Sequence, residues 1–201
     1  MHQEAILADH QHHHHQDQDA LDVFGFWLYI LTDCILFGCL FATYLVLNAP
    51  GHPGPLLKNY INLKDVLLET GLLLVSNFTF CLAILNLYQR RMRRVQAWLL
   101  MTFAFGAGFI TMELQEFMHM LREGFSWEVS GAISSFFTLV GTHGLHVSFG
   151  LLWIVILIVQ LPWIQSESIQ RRRMTYLGLF WNFLDIVWIF VFTVVYLMGA
   201  L

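Results

Sequence analysis

Five apolar runs constrain this chain more than any other feature, at roughly residues 24–47, 66–88, 96–121, 132–161 and 175–198. A helix needs about 20 residues to cross the ~30 Å hydrocarbon layer of a bilayer, and each run reaches that length. Backbone N–H and C=O groups meet no water there, so an isolated run must satisfy them within itself, as a helix does. The expected fold is all-α and membrane-embedded, a bundle of five transmembrane helices. The runs and their connections account for most of the 201 residues, and only 12% of residues are charged. Soluble domains carry about twice that charge. The domain plan is a polar tail over 1–22 and a membrane domain over 23–201.

The tail contains His12 to His15 followed by Asp17, Asp19 and Asp22. It lacks the apolar surface to fold and is expected to be mobile; its histidines leave metal binding open. An odd number of spans puts the tail, the second connection and the fourth connection on one side. That side carries Arg90, Arg91, Arg93, Arg94, Arg171, Arg172 and Arg173, whereas the other carries only Lys58, Lys64 and Arg122. The excess of cations predicts a cytoplasmic N-terminus and a periplasmic C-terminus. The formal net charge of −4 argues against a nucleic-acid partner. Cys34, Cys39 and Cys81 all fall in apolar runs, where cysteine acts as a small hydrophobe.

Ionisable groups inside a span are costly and face protein, water or a partner. Here they are Asp33, Glu69, Glu113, Glu116 and Asp185, with His119, His143 and His146, and neutral Asn182 beside them. Asp33, His143 and Asp185 lie near mid-membrane at 1.5 Å of rise per residue. His146 and Asn182 sit about one turn from His143 and Asp185. Asp33, His143, His146, Asn182 and Asp185 are expected to form interhelical hydrogen-bond clusters. Glu113, Glu116 and His119 form a second stripe nearer the outer end, with Glu69 at similar depth, expected to make polar or lipid contacts.

Two metal readings fail on ligand supply. Glu116-x-x-His119 matches half of a carboxylate-bridged di-iron pattern, which needs the same spacing on a second helix, and the sequence has no second copy. The pair His143 and His146 suggests haem or copper, but His119, His143 and His146 are too few for a haem–copper core. No cofactor or metal is expected in this chain, and no catalytic residue. Small residues at Ala104, Gly106, Ala107, Gly108, Gly141, Gly144 and Gly150 suit close helix approach. Trp27, Tyr29, Trp98, Trp163 and Tyr196 suit the interfacial belt.

Several of these segments resemble a known family. Gly141-Thr142-His143-Gly144-Leu145-His146-Val147 is similar to the G-x-H-G-L-H-V signature of subunit III of haem–copper respiratory oxidases. Trp181-Asn182-Phe183-Leu184-Asp185-Ile186-Val187-Trp188 resembles that family's W-H-F-x-D-x-V-W, with Asn182 in place of the usual His. Gly108-Phe109 and Glu113-x-x-Glu116-Phe117 also look like their counterparts, and Asp33 stands where many members carry a carbodiimide-reactive Glu. Asn can exchange hydrogen bonds but cannot carry a proton, and Asp33 is one methylene shorter than that Glu.

Five spans with a His-rich tail resemble the quinol-oxidising cytochrome o branch in Gram-negative bacteria. The resemblance implies a four-subunit inner-membrane complex that oxidises ubiquinol, reduces oxygen to water and pumps protons. It places the haems and copper in subunit I. This chain would be an accessory that contacts subunits I, II and IV and binds phospholipid. Subunit III of a cytochrome c oxidase is the nearest alternative. A stand-alone proton-coupled transporter is another, although the repeats and interrupted helices common in such proteins are not evident.

Overall fold

A computed structural model describes residues 2–49, 63–124, 130–164 and 166–197, with side chains described from Val23 onward. The order is α1 (His2–Leu47), α2 (Leu63–Tyr88), α3 (Met92–Arg122), α4 (Gly131–Gln160) and α5 (Glu167–Val191), extended by a π-helical segment, Phe192–Leu197. Five helical stretches are long and apolar enough to cross a membrane: Val23–Leu47, Lys64–Tyr88, Met92–Arg122, Gly131–Gln160 and Glu167–Leu197. The tail expected to be mobile precedes the described side chains. The third and fifth helices begin earlier than their apolar runs and so include Arg93, Arg94 and Arg171 to Arg173. Arginine stems can lie along apolar surface while their head groups reach water, so a helix continues past the hydrocarbon edge.

Local chemistry sets several helix ends. Asp65 lies in the first turn of α2 and Glu167 in that of α5, where the helix dipole favours negative charge. Ser130 caps α4 by accepting a hydrogen bond from the Ala132 N–H at 3.3 Å. Gly124 follows α3 with φ of 88°, a left-handed conformation that glycine adopts without steric cost. The tight α2–α3 connection is closed by Arg90 N–H to Leu87 O at 3.0 Å and Arg91 N–H to Asn86 O at 3.1 Å.

The chain divides into two compact units, Met1–Gly38 and Cys39–Leu201. In the first, Ile30, Asp33 and Phe37 follow one face of the helix, and the Tyr29 side chain is hydrogen-bonded to Asp33. In the second, α3 packs on α2 and α4, and α5 packs on α4 and α2, closing a ring of four helices. The α2–α3 interface has a polar centre: Ser76 Oγ donates to Thr102 O at 3.2 Å, and the Thr79 and Thr102 hydroxyls are 2.9 Å apart.

Helix α5 fills the ring. The most apolar window of its span is 56% buried, against 28% for α3. Trp181 is 1% exposed and reaches three helices at once. Its ring lies against Gly106 of α3 and Gly150 of α4, and its Nε1–H donates to Ser76 Oγ of α2 at 3.2 Å. Trp188 repeats the arrangement two turns on, donating to Thr70 Oγ1 of α2 at 3.0 Å. Buried indole N–H groups in hydrocarbon need acceptors, and the Ser and Thr hydroxyls of α2 provide them.

Candidate functional site

His143 of α4 is a fully buried polar group in the ring. Its imidazole stacks on Trp188 at 5.2 Å and meets the edge of Phe109 at 5.9 Å. Phe109 and Trp188 pack edge to face at 4.6 Å. Three helices thereby hold this ring in an aromatic box. His146, one turn on, is half-buried, with Nδ1 at 2.8 Å from the Thr142 carbonyl of its own helix. His119 lies near the end of α3, its Nδ1 3.5 Å from Glu123 Oε1.

Beside the aromatic box lies a group of carboxylates. Glu113 of α3 is 3% exposed, and neither carboxylate oxygen has a hydrogen-bond partner among the described residues. It presses on Gly144 of α4, where a Cβ would fall 2.8 Å from Oε1. The glycine therefore makes room for the carboxyl group. Glu69 of α2 and Glu116 of α3 are its charged neighbours. Glu69 is 1% exposed, and its Oε2 has no hydrogen-bond partner among the described residues. Glu116 accepts a long hydrogen bond, 3.4 Å, from the Tyr196 hydroxyl. Like charges in low dielectric cannot all ionise cheaply, so the group either shares protons or attracts a cation.

The group opens toward the end of the ring that carries the start of α2 and the end of α3. A cleft of about 390 Å³ there is lined by Asp65, Glu69, Gln115, Glu116, His119 and Glu123 together with apolar Val66, Met112 and Met120. No three His, Cys, Asp or Glu side chains among the described residues gather closely enough to hold a metal ion.

The outer stripe Glu69, Glu113, Glu116 and His119 thus shares one end of the ring, with His119 at the cleft. The mid-membrane set is split. Asp185 is 5% exposed and lies beside Asn77 of α2, a residue that sequence reasoning passed over. Asn182 is exposed, because it shares the outward stripe of α5 with Ile186 and Ile189. Asp33 belongs to the N-terminal unit, where its hydrogen-bond partner is Tyr29.

Tyr196 differs from its sequence expectation. It is fully buried rather than interfacial, since the π-helical segment turns Val195 and Tyr196 into the ring. Its ring meets Phe136 at 6.1 Å and Trp188 at 6.2 Å. Thr70, Ser76 and Asn77 left little trace in the sequence, because a Ser or Thr in a span can bond its own helix. Thr70 does so through Val66 O while also accepting from Trp188. The available signal was the pair of tryptophans, each needing an acceptor.

Residues 2–200 match the family described as cytochrome c oxidase subunit III. The chain is 53% identical to cytochrome bo(3) ubiquinol oxidase subunit 3 of Pseudomonas aeruginosa, over 96% of this chain and 92% of that one. A protein of the same name from Buchnera aphidicola is 41% identical, over 89% of this chain and 92% of the relative. Cytochrome c oxidase subunit 3 of Bacillus sp. strain PS3 is 40% identical, over 87% of this chain and 84% of the relative.

Proposed function

The chain belongs to the cytochrome c oxidase subunit III family, and from that premise we propose that it is the accessory subunit III of a bacterial quinol-oxidising terminal oxidase. It is a multi-pass protein of the inner membrane. The observation that carries the choice of quinol is the 53% identity, over nearly the whole chain, to a protein named as a ubiquinol oxidase subunit. Its partners are subunits I, II and IV, with the haems and copper in subunit I, and the complex couples oxygen reduction to proton pumping. The N-terminus lies in the cytoplasm, as the arginine-rich connections favour.

This chain's own residues support rather than perform the electron chemistry. His143, locked between Phe109 and Trp188, and Asp185, beside Asn77, act as buried packing and hydrogen-bonding groups. The half-buried His146 and the exposed Asn182 are suited to contact with a neighbouring subunit or lipid. Asp33, held to Tyr29, serves as the polar contact of the first span.

Purification of the tagged chain in mild detergent tests this reading. A haem-bearing large subunit should co-purify, and the assembly should consume oxygen with ubiquinol and not with reduced cytochrome c. A cytochrome c oxidase is the second reading, favoured by the Bacillus relative. Oxidation of reduced cytochrome c by the assembly would establish it, and recovery of the chain without haem-bearing partners would refute both. Reporter fusions at residues 60 and 91 check orientation, the first expected outside and the second inside.

A further inference from the structure

Helix α1 begins at His2, well ahead of its membrane span, which starts at Val23. That leading stretch has no use in the role just described. It holds six of the chain's ten histidines, His2, His10 and His12 to His15. Its charged residues are Glu4, Asp9, Asp17, Asp19 and Asp22, with no Lys or Arg among them. Histidine and aspartate are weak helix formers, so propensity does not account for their concentration here.

The side chains of residues 1–22 lie outside the described set, and sequence order with helical register defines their faces. Each residue advances about 100° around a helix, so His10, His13, His14 and Asp17 share an arc of about 100°. Their spacing is i, i+3, i+4, i+7, that of a single helical stripe. His10 and His14 stand about 6 Å apart along the axis, as do His13 and Asp17. Helical metal sites use this spacing: two histidines at i, i+4 hold zinc in H-E-x-x-H. His12, His15, Asp19 and Asp22 fall on the opposite face, where no two histidines are four residues apart.

Ligand chemistry and charge select the ion. Imidazole with carboxylate suits Zn²⁺, Cu²⁺ and Ni²⁺, whereas Mg²⁺ and Ca²⁺ take oxygen ligands. The negative charge of the stretch, unopposed by Lys or Arg, favours a cation. We propose that the stripe His10, His13, His14 and Asp17 binds a divalent transition-metal ion, with His10 and His14 as its principal ligands. One face of one helix gives a single ion fewer than the four protein ligands of a structural zinc, so water completes the shell and the ion exchanges. This differs from the redox centre for which the spans lack ligands, and it does not depend on the chain's place in an oxidase.

Isothermal titration with Zn²⁺ of the protein purified from its membrane, with any partners it retains, tests the proposal. Wild type should take up Zn²⁺ in excess Mg²⁺, and Cu²⁺ should displace it. The double variant His10→Gln with His14→Gln should weaken binding by about tenfold or more, at least the loss seen when a ligand's supporting partner is removed. His12→Gln with His15→Gln removes as many imidazoles and should leave binding nearly unchanged. Gln11→Pro keeps every histidine but takes His10 out of register, and should match the first double variant. Equal losses in the two double variants would overturn the proposal, because the number of imidazoles alone would then decide. So would wild-type binding by Gln11→Pro, or equal Zn²⁺ uptake by wild type and a variant lacking residues 2–19.

Discussion

Replacing Gly150 by Ala puts a methyl group where α5 already lies. A Cβ there would fall 2.7 Å from Cζ3 and 3.0 Å from Cε3 of Trp181, and 3.3 Å from Cε1 of Phe180. Carbon atoms rest at about 3.5–4.0 Å, so the indole must move by roughly 1 Å. It has little room to do so. Its other edge lies 3.2 Å from where a Cβ on Gly106 would be, and Nε1 is tied to Ser76. Overpacking of this kind costs about 1–3 kcal/mol, and drawing the indole from Ser76 adds about 1 kcal/mol. Alanine returns up to ~1 kcal/mol in helix propensity. The net expectation is a loss of about 2 kcal/mol, in the range of these terms. The same substitution at Gly141, on the same helix, meets only Phe117 at 3.6 Å, an ordinary contact. There propensity dominates, and Gly141→Ala should be neutral or stabilising by up to ~1 kcal/mol. Unfolding midpoints of the two variants in mild detergent give the comparison. A double-mutant cycle of Gly150→Ala with Trp181→Phe should show coupling of about 1 kcal/mol or more. Equal stability of Gly150→Ala and wild type, or additive effects with Trp181→Phe, would refute the wedge.

Ser76→Ala leaves the Trp181 N–H without its acceptor and should cost about 1–3 kcal/mol in the same unfolding assay. Thr70→Val does likewise to Trp188, with a similar loss, whereas Thr70→Ser should retain the bond and most of the stability. Glu113→Gln keeps the shape of a carboxyl that has no partner among the described residues; stability should match or exceed wild type, and a loss above ~1 kcal/mol would mean the carboxylate is charged and paired. Gln170→Ala removes the amide that donates to Leu161 O and Ile164 O, and should raise hydrogen exchange in the α4–α5 connection.

Expectations about the polar residues fared according to how local they were. The spacing of Glu113, Glu116 and His119 follows from counting residues along one helix, and Glu116 and His119 both line the cleft. Which way a residue faces is another matter. Asn182 and Asp185 stand three apart on α5, yet one is exposed and the other buried. Three residues rotate about 300°, so a pair at that spacing can straddle the boundary of a buried face. The face itself is set by where α2 and α4 lie. Tyr196 shows the same limit: a tyrosine near a span end reads as interfacial, and only the π-helical segment turns it to Glu116.

Length and apolarity are properties of consecutive residues, so the sequence alone determined that this chain crosses a membrane five times and roughly where each crossing begins and ends. It also determined which acids and histidines must be carried into the hydrocarbon. Only the tertiary structure decided their company: Glu113 against Gly144, His143 between Phe109 and Trp188, Trp181 wedged between Gly106 and Gly150. Those contacts join residues far apart in the chain, and they depend on how each helix is rotated about its own axis. In lipid, that rotation is governed by close packing and by hydrogen bonds between helices, because tails and side chains are equally apolar. A hydropathy pattern marks the crossings but contains no term for that choice.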